Sequence, residues 1–411
     1  MTLSSDLFSV RAQNLRRSEI RELLKLTEKQ GIISFAGGLP HPDTINQKVM
    51  LELVEHVVSD HDTSALQYGP TEGRKELLDQ LLKVHAEYDD VELSLDNIIV
   101  TSAAQQAIAL TAKIFIDAGD EVLCGRPTYL GFLQAVRSYR GEFVGIDLDP
   151  KDGMDVDQVE KVLKERGGRG RIKYLYTVPD FQNPSGITLS LEKRIRLIEL
   201  AREYGFLIVE DSPYRQLRYT GTPLPPMLAL DKERDAVVTL HTFSKVFAPG
   251  LRLGWVAGPT QIIDKLILVK QPADLCTSPF AQLLAAHYID GGYLAKQIPM
   301  IIDFYRPKQQ AMIEAFEREL GDVEGVSFTR PEGGMFLWLT LPRFIDSAKL
   351  FEMAIEKNVA FVIGAAFDCY GERSNAARMN FSFPTVEQIH NGVKILGDCV
   401  KKMVVDARVT A

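Results

Sequence analysis

The chain has 411 residues, is 45% hydrophobic and 25% charged, and carries a formal net charge of −8. That is ordinary globular composition, long enough for two domains, and the acidic balance argues against nucleic-acid binding. Four scattered cysteines without a CxxC pair, seven histidines without HExxH spacing and no run of about 18 apolar residues leave no sign of a disulfide framework, a metal site or a membrane span.

The first segment, residues 1–45, is expected to hold a basic amphipathic helix and then a glycine-rich turn. Ile20, Leu23, Leu24 and Thr27 form the inner face, while Arg17, Arg21 and Lys25 make a stripe whose plain reading is a solvated face. The start, MTLSSDLFSVRAQNLRR, lacks the apolar core of a signal peptide, so a cytoplasmic protein is expected. FAGGLPHPD, from Phe35 to Asp43, is an irregular turn where backbone can approach a ligand.

Residues 46–300 alternate between short apolar strands and helices. Strands are predicted at Ile98–Thr101, Glu121–Cys124, Glu142–Ile146, Ile172–Val178, Leu207–Glu210, Val237–His241 and Leu253–Ala257. Helices include Ala104–Ile116 and Leu191–Tyr204. This alternation predicts an α/β domain with a mostly parallel sheet covered by helices. Ligands of such sheets bind outside the carboxyl ends of the strands, where Asn183, Asp211 and Lys245 fall. Residues 301–411 change texture: a helix over Tyr305–Leu320, the strand-like MFLWLTL, a helix near Ala348–Lys357, and ARMNFSF. They read as a smaller α+β C-terminal domain.

The chemistry concentrates in TFSKVFAPGLRLGW, Thr242 to Trp255. Lys245 can condense with an aldehyde, and Thr242, Ser244 and Arg252 can hold a phosphate beside it. Pyridoxal 5'-phosphate (PLP) carries both groups. Asp211 ends the apolar strand of FLIVEDSPY and needs a cationic partner, which a pyridinium nitrogen supplies. Tyr214 and the Asn183 amide can donate to the cofactor's O3', and Tyr129 can stack on its ring. The run Ser102, Ala103, Ala104 and Gln105 opens a helix whose free N–H groups suit an anion. Each residue alone has a plainer reading: Asp211 as a helix cap, Asn183 as a turn residue, Tyr129 as a packed aromatic.

Together TFSKVFAPGLRLGW, PDFQNPSG, VEDSPY, TSAAQQ, QYGPTEG and SFAGGLPHPD resemble, in order, the motifs of PLP-dependent aminotransferases of the aspartate-aminotransferase fold. The kynurenine/2-aminoadipate branch is the nearest look. The resemblance implies a seven-stranded large-domain sheet (PLP fold type I) and a homodimer with shared sites. It makes Lys245 the Schiff-base lysine, Asp211 the partner of the pyridine nitrogen, and Asn183 and Tyr214 the O3' donors. Tyr129 becomes the stacking aromatic, and Ser244 and Arg252 become phosphate ligands. Tyr68 matches the tyrosine that reaches the neighbouring subunit's phosphate, Arg378 the clamp on the substrate α-carboxylate, and Gly38 the turn lining the carboxylate pocket. Arg21 falls where some members read the substrate side chain. One departure stands out: relatives carry Gly-Ser-Gln-Gln where this chain has Ala103-Ala104-Gln105-Gln106, so weaker cofactor retention is expected. The implied reaction moves an amino group from an L-amino acid to a 2-oxo acid, with 2-oxoglutarate the expected acceptor. A β-lyase or decarboxylase uses the same lysine, aspartate and tyrosine. A non-enzymatic regulator of this fold would need a DNA-binding domain for which the N-terminus has no room.

Overall fold

The computed structural model describes residues 7–14, 31–59, 63–166 and 170–410. The predicted basic helix and Arg21 lie outside them. The large sheet is built from β1 (Ile98–Thr101), β2 (Glu121–Arg126), β3 (Glu142–Asp149), β4 (Gly153–Met154), β5 (Ile172–Thr177), β6 (Leu207–Asp211), β7 (Val237–Thr242) and β8 (Gly254–Ala257). Their spatial order is β1-β8-β7-β6-β5-β2-β3-β4. The run from β7 to β3 is parallel throughout. Strand β8 runs antiparallel to both its neighbours. The seven expected strands are all present. The eighth, β4, is a two-residue antiparallel addition at the edge of β3, too short to leave a sequence period.

Burial explains these strands. β1, β6 and β8 are buried at every position, as expected of strands covered on both faces. Strand β3, near the edge, alternates between buried and exposed positions. Because β2, β5, β6 and β7 are parallel, their carboxyl ends open on one side. From that side come Asp211, at the end of β6, and the turns bearing Tyr129, Asn183 and Lys245. Strand β1 delivers its own end there into the helix Ala103–Phe115.

The C-terminal sheet is antiparallel, ordered β9 (Ser327–Phe328), β10 (Phe336–Thr340), β12 (Ala376–Asn380), β11 (Val362–Ile363). The helix expected over Tyr305–Leu320 starts earlier, at Tyr293, and carries Pro299 and Pro307 inside it. Proline usually marks a boundary; here twelve buried residues along the helix hold it continuous, through the sequence position where the domains were expected to divide. The N-terminal segment joins this C-terminal unit. Ile33–Ser34 pairs in parallel with Val359–Ala360, and the Asn380 N–H donates to the Phe35 carbonyl at 2.8 Å. The turn Ala36–Leu39 therefore hangs on the C-terminal sheet while facing the large one.

Candidate active site

A cavity of about 680 Å³ lies where these carboxyl ends meet the Ala36–Leu39 turn. Lys245 enters it from a single 3-10 turn that follows β7. That turn is capped by Thr242, whose Oγ1 accepts from the Ser244 N–H at 3.2 Å. The Lys245 amine donates to the Gly38 carbonyl at 2.8 Å. Burial, aided by the charges of Arg378 and Arg252, pushes its pKa down to about 8. A substantial neutral fraction is then present near physiological pH, as a nucleophile requires.

Thr242, Ser244, Arg252, Ala103, Ala104 and Gln105 line the cavity together. The helix Ala103–Phe115 begins without a side-chain cap, which leaves first-turn N–H groups for an anion. Gly254 makes the approach possible: a Cβ there would lie 2.4 Å from the His241 carbonyl oxygen and 3.0 Å from Ala103 backbone. Arg252 adopts a left-handed backbone with φ of 51°, unusual for a side-chain-bearing residue. Its Nη1 donates to the Pro249 carbonyl at 3.3 Å.

Asp211 closes the far wall. Its Oδ2 accepts from the Tyr176 hydroxyl at 2.6 Å, but its Oδ1 is buried with no partner. Burial pushes the carboxyl up to about 7, against the hydrogen bond from Tyr176. A buried carboxylate oxygen left open toward a cavity calls for a cationic N–H. Asn183 Nδ2 lies 3.5 Å from the Tyr214 hydroxyl, and Asn183 Oδ1 accepts from Arg378 Nη1 at 3.0 Å. Arg378 Nη2 donates to the Ala36 carbonyl at 2.7 Å. The guanidinium is sandwiched, 4.4 Å from the Phe336 ring centroid and 4.9 Å from that of Phe367. Its Nε is buried and unpartnered, and burial holds its pKa down to about 10. Tyr129 lies across the cavity with its hydroxyl on Gln105 Oε1 at 3.1 Å.

A buried amine of lowered pKa, an uncapped helix start and an unsatisfied carboxylate in one cavity are what a pyridoxal phosphate group needs, so the residues present fit it. The family model for aminotransferase class I and II matches residues 41–396. The chain belongs to this family. It is 46% identical over 396 residues to an aromatic-amino-acid aminotransferase of Thermococcus litoralis, covering 96% of this chain and 94% of the relative. The structure of a Pyrococcus horikoshii kynurenine aminotransferase, in complex with PMP, KYN and KYA, superposes with a TM-score of 0.93. It is 44% identical, over 97% of this chain and 98% of that one. The α-aminoadipate aminotransferase of Thermus thermophilus, complexed with N-(5'-phosphopyridoxyl)-L-leucine, gives a TM-score of 0.88. It is 36% identical, over 98% of this chain and 100% of that one. The fold is that of the aspartate aminotransferases.

In this aminotransferase the structure gathers most of the residues singled out in the sequence. Lys245, Asp211, Asn183, Tyr214, Tyr129, Thr242, Ser244, Arg252, Ala103, Ala104, Gln105, Gly38 and Arg378 all line one cavity. Ser102 does not. Its hydroxyl turns away to Asp274 Oδ2 at 3.2 Å, which also holds Gln106. Tyr68 stands apart too, 78% exposed on the surface.

Two features of the aminotransferase escaped sequence reading. Tyr176, the phenol on Asp211, looked like one more apolar position in a buried strand. The rings around Arg378, Phe336 and Phe367, were not singled out. The alternation in KYLYT was the only available signal for the first. A second buried polar cluster also lies close by. The Trp255 indole N–H donates to His85 Nε2 at 2.9 Å, and His85 Nδ1 is 3.0 Å from Asp89 Oδ2. Arg215 Nε lies 3.4 Å from Asp89 Oδ1. His241 stacks on Trp255 at 4.7 Å and is kept neutral, mainly by burial. Ligand atoms of His85, Asp89 and His241 lie within 4.8 Å of one another. Because an indole only donates, His85 Nε2 is the acceptor of that bond. The cluster is held by the indole hydrogen bond and by the close approach of His85 and Arg215 to Asp89, although His85 Nδ1 and Arg215 Nε themselves make no well-aligned hydrogen bond.

Proposed function

We propose that the cavity binds PLP and that the protein transfers amino groups from aromatic and kynurenine-type L-amino acids to a 2-oxo acid such as 2-oxoglutarate. The observation that carries this reading is the joint lining of one cavity by Lys245, the open oxygen of Asp211 and the Arg378 guanidinium. When bound, the group supplies an aldehyde that takes up the amine and a ring that accepts electrons from Cα. Thr242, Ser244, Arg252 and the first-turn N–H groups of Ala103, Ala104 and Gln105 hold its phosphate. The unpartnered Asp211 Oδ1 would pair with the ring nitrogen and keep its proton in place. Asn183 and Tyr214 would donate to the ring oxygen, and Tyr129 would pack on the ring. Arg378 grips the substrate α-carboxylate through a planar fork. Gly38 lines the cavity beside it and accepts from the Lys245 amine through its carbonyl. Lys245 Nζ removes the Cα proton as the general base.

The donor preference follows from the walls. Leu39, Pro40, Ile108, Leu130 and Phe383 give the cavity an apolar side. Among the described residues, the cations lining it are Lys245, Arg252 and Arg378, and each has a role above. An aromatic side chain fits that wall. A 2-aminoadipate side chain needs one more cation, the part assigned to Arg21. Tyr68, exposed beside Leu66, suits a homodimer in which it completes the partner's site. Among the described residues no helix is long and apolar enough to cross a membrane, and a cytoplasmic location accords with the free cysteines.

A single-turnover screen tests the reading. PLP-loaded protein mixed with one amino acid and no acceptor should release one 2-oxo acid per site and stop. Phenylalanine, tyrosine and kynurenine should react fastest. Continuous release of ammonia or carbon dioxide would make the protein a lyase or a decarboxylase.

A further inference from the structure

Asp211 meets the cavity through one oxygen, and a neighbouring side chain decides which. Tyr176 lies on β5 in register with Val209 on β6. Asp211 follows Val209 by two positions, so its side chain is a diagonal neighbour of Tyr176 on the same face. The Tyr176 ring is held parallel to that of Phe132, with centroids 4.0 Å apart and planes at 3°. Its hydroxyl has one proton to donate, and it goes to Asp211 Oδ2 at 2.6 Å. The carboxylate cannot rotate without breaking that bond.

The other phenols around Asp211 do not compete. The Tyr129 hydroxyl donates to Gln105 Oε1 at 3.1 Å, and the Tyr214 hydroxyl is 3.5 Å from the Asn183 amide. Among the described residues, Tyr176 is the one group that counters burial at Asp211. Burial also keeps the Tyr176 phenol far above its ordinary pKa, so it stays a donor.

We propose that Tyr176 is a positioning residue for transamination: it ties down Asp211 Oδ2, leaves Oδ1 alone to face the ring nitrogen, and supports the carboxylate charge there. The proposal rests on reading the cavity as a PLP site. Tyr176 touches neither substrate nor reacting atoms in this role. It acts through Asp211, and its own ring supplies the rigidity.

Tyr176→Phe keeps the stacked ring and removes only the hydroxyl. In cofactor-free protein, the Asp211 carboxyl can be followed by infrared difference spectroscopy against Asp211→Asn. Its titration midpoint should rise by about one pH unit, the tenfold change expected for a lost hydrogen bond. PLP should bind roughly tenfold more weakly, and kcat should fall with little change in donor KM. Site-specific 3-fluorotyrosine at position 176 is a stronger donor of nearly the same shape and should move the midpoint down instead. A folded Tyr176→Phe protein with unchanged midpoint and PLP affinity overturns the proposal, as does a fluorotyrosine shift in the same direction as phenylalanine. Wild-type protein that takes up no PLP would overturn the cofactor reading and this proposal together. PLP uptake without the ordering phenylalanine, tyrosine, fluorotyrosine overturns this proposal alone.

Discussion

Asp89 and Asp211 are both buried carboxylates beside aromatic rings, and their surroundings treat them in opposite ways. Asp89 has a contact for each oxygen, His85 at 3.0 Å and Arg215 at 3.4 Å. Burial raises its pKa, but the hydrogen bond from His85 and the nearby charges outweigh that and hold it below the ordinary carboxylate value. Asp211 has one neutral donor and an empty oxygen, and its pKa climbs to about 7. A carboxylate with a cationic or N–H contact at each oxygen contributes to the fold. An unsaturated one bordering a cavity is held ready for something that arrives later. Residue type does not distinguish the two; the unfilled valence does.

The largest expected effect lies within the unsaturated cluster. Lys245→Ala should cut transamination by about 10⁴-fold or more while PLP still binds non-covalently. Steady-state assay and equilibrium dialysis together check it. Borohydride reduction of the wild type should attach the cofactor to Lys245, and labelling of another lysine would sink the assignment.

Paired substitutions break the comparison most directly. Asp211→Asn should lower kcat by roughly 10²- to 10³-fold, about 3–4 kcal/mol in the barrier, with no loss of melting temperature. Asp89→Asn should cost about 3–5 kcal/mol of stability, while the kcat of the protein that folds stays within about threefold. Thermal melts and active-site-normalised rates separate them. The reverse pattern would mean that Asp89, not Asp211, does the chemistry.

Acidity sharpens the contrast. The folded pKa of Asp211 is raised from 3.8 to about 7, so the native state binds more protons than the unfolded chain between those values. Its contribution to cofactor-free stability therefore falls as pH rises from about 4 to 7, by on the order of 4 kcal/mol. Asp89 has a lowered folded pKa, so its contribution is present above its unfolded value and lost as pH falls through the folded one. Lys245, depressed to about 8, weakens the fold below that pH and relaxes as pH rises toward 10.5. Melting temperature against pH should show the Asp211 slope without PLP, and a flatter curve once a cation pairs with it. Equal slopes in both forms would mean that PLP does not meet Asp211.

The smallest effect concerns the clamp. Arg378→Lys replaces a fork by a point charge. It should lower kcat/KM by about 10- to 100-fold, by a similar factor for every donor. Losses that track the donor side chain would make Arg378 a side-chain reader.

Much of this was legible in the sequence because strand ends and hydroxyl-flanked lysines are local signals. Six strand starts and the span of the Leu191–Tyr204 helix follow from apolar runs and their stops. Lys245, Asp211 and Asn183 stand out because polar residues ending apolar strands need partners. Tyr176 did not stand out, because its role depends on the register of β5 against β6, a long-range fact. The Tyr293–Leu320 helix was read only from Tyr305, and packing along its length carries it back through Pro299 to Tyr293. Ser102 was grouped with the anion-binding helix start, and in the fold it stays out of the cavity with its hydroxyl on Asp274.

The pairing of Ile33–Ser34 with Val359–Ala360 also has a consequence for how the molecule is made. All eight strands of the large sheet lie before residue 258, so Asp211, Lys245 and the anion cradle leave the ribosome together. The Ala36–Leu39 turn leaves earlier still, yet its strand partner and Arg378 come near the end of synthesis. A growing chain can thus assemble the floor for the cofactor well before it has any grip on an amino acid. The two ends of the polypeptide must then find each other to finish the mouth of the site, a late, long-range closure.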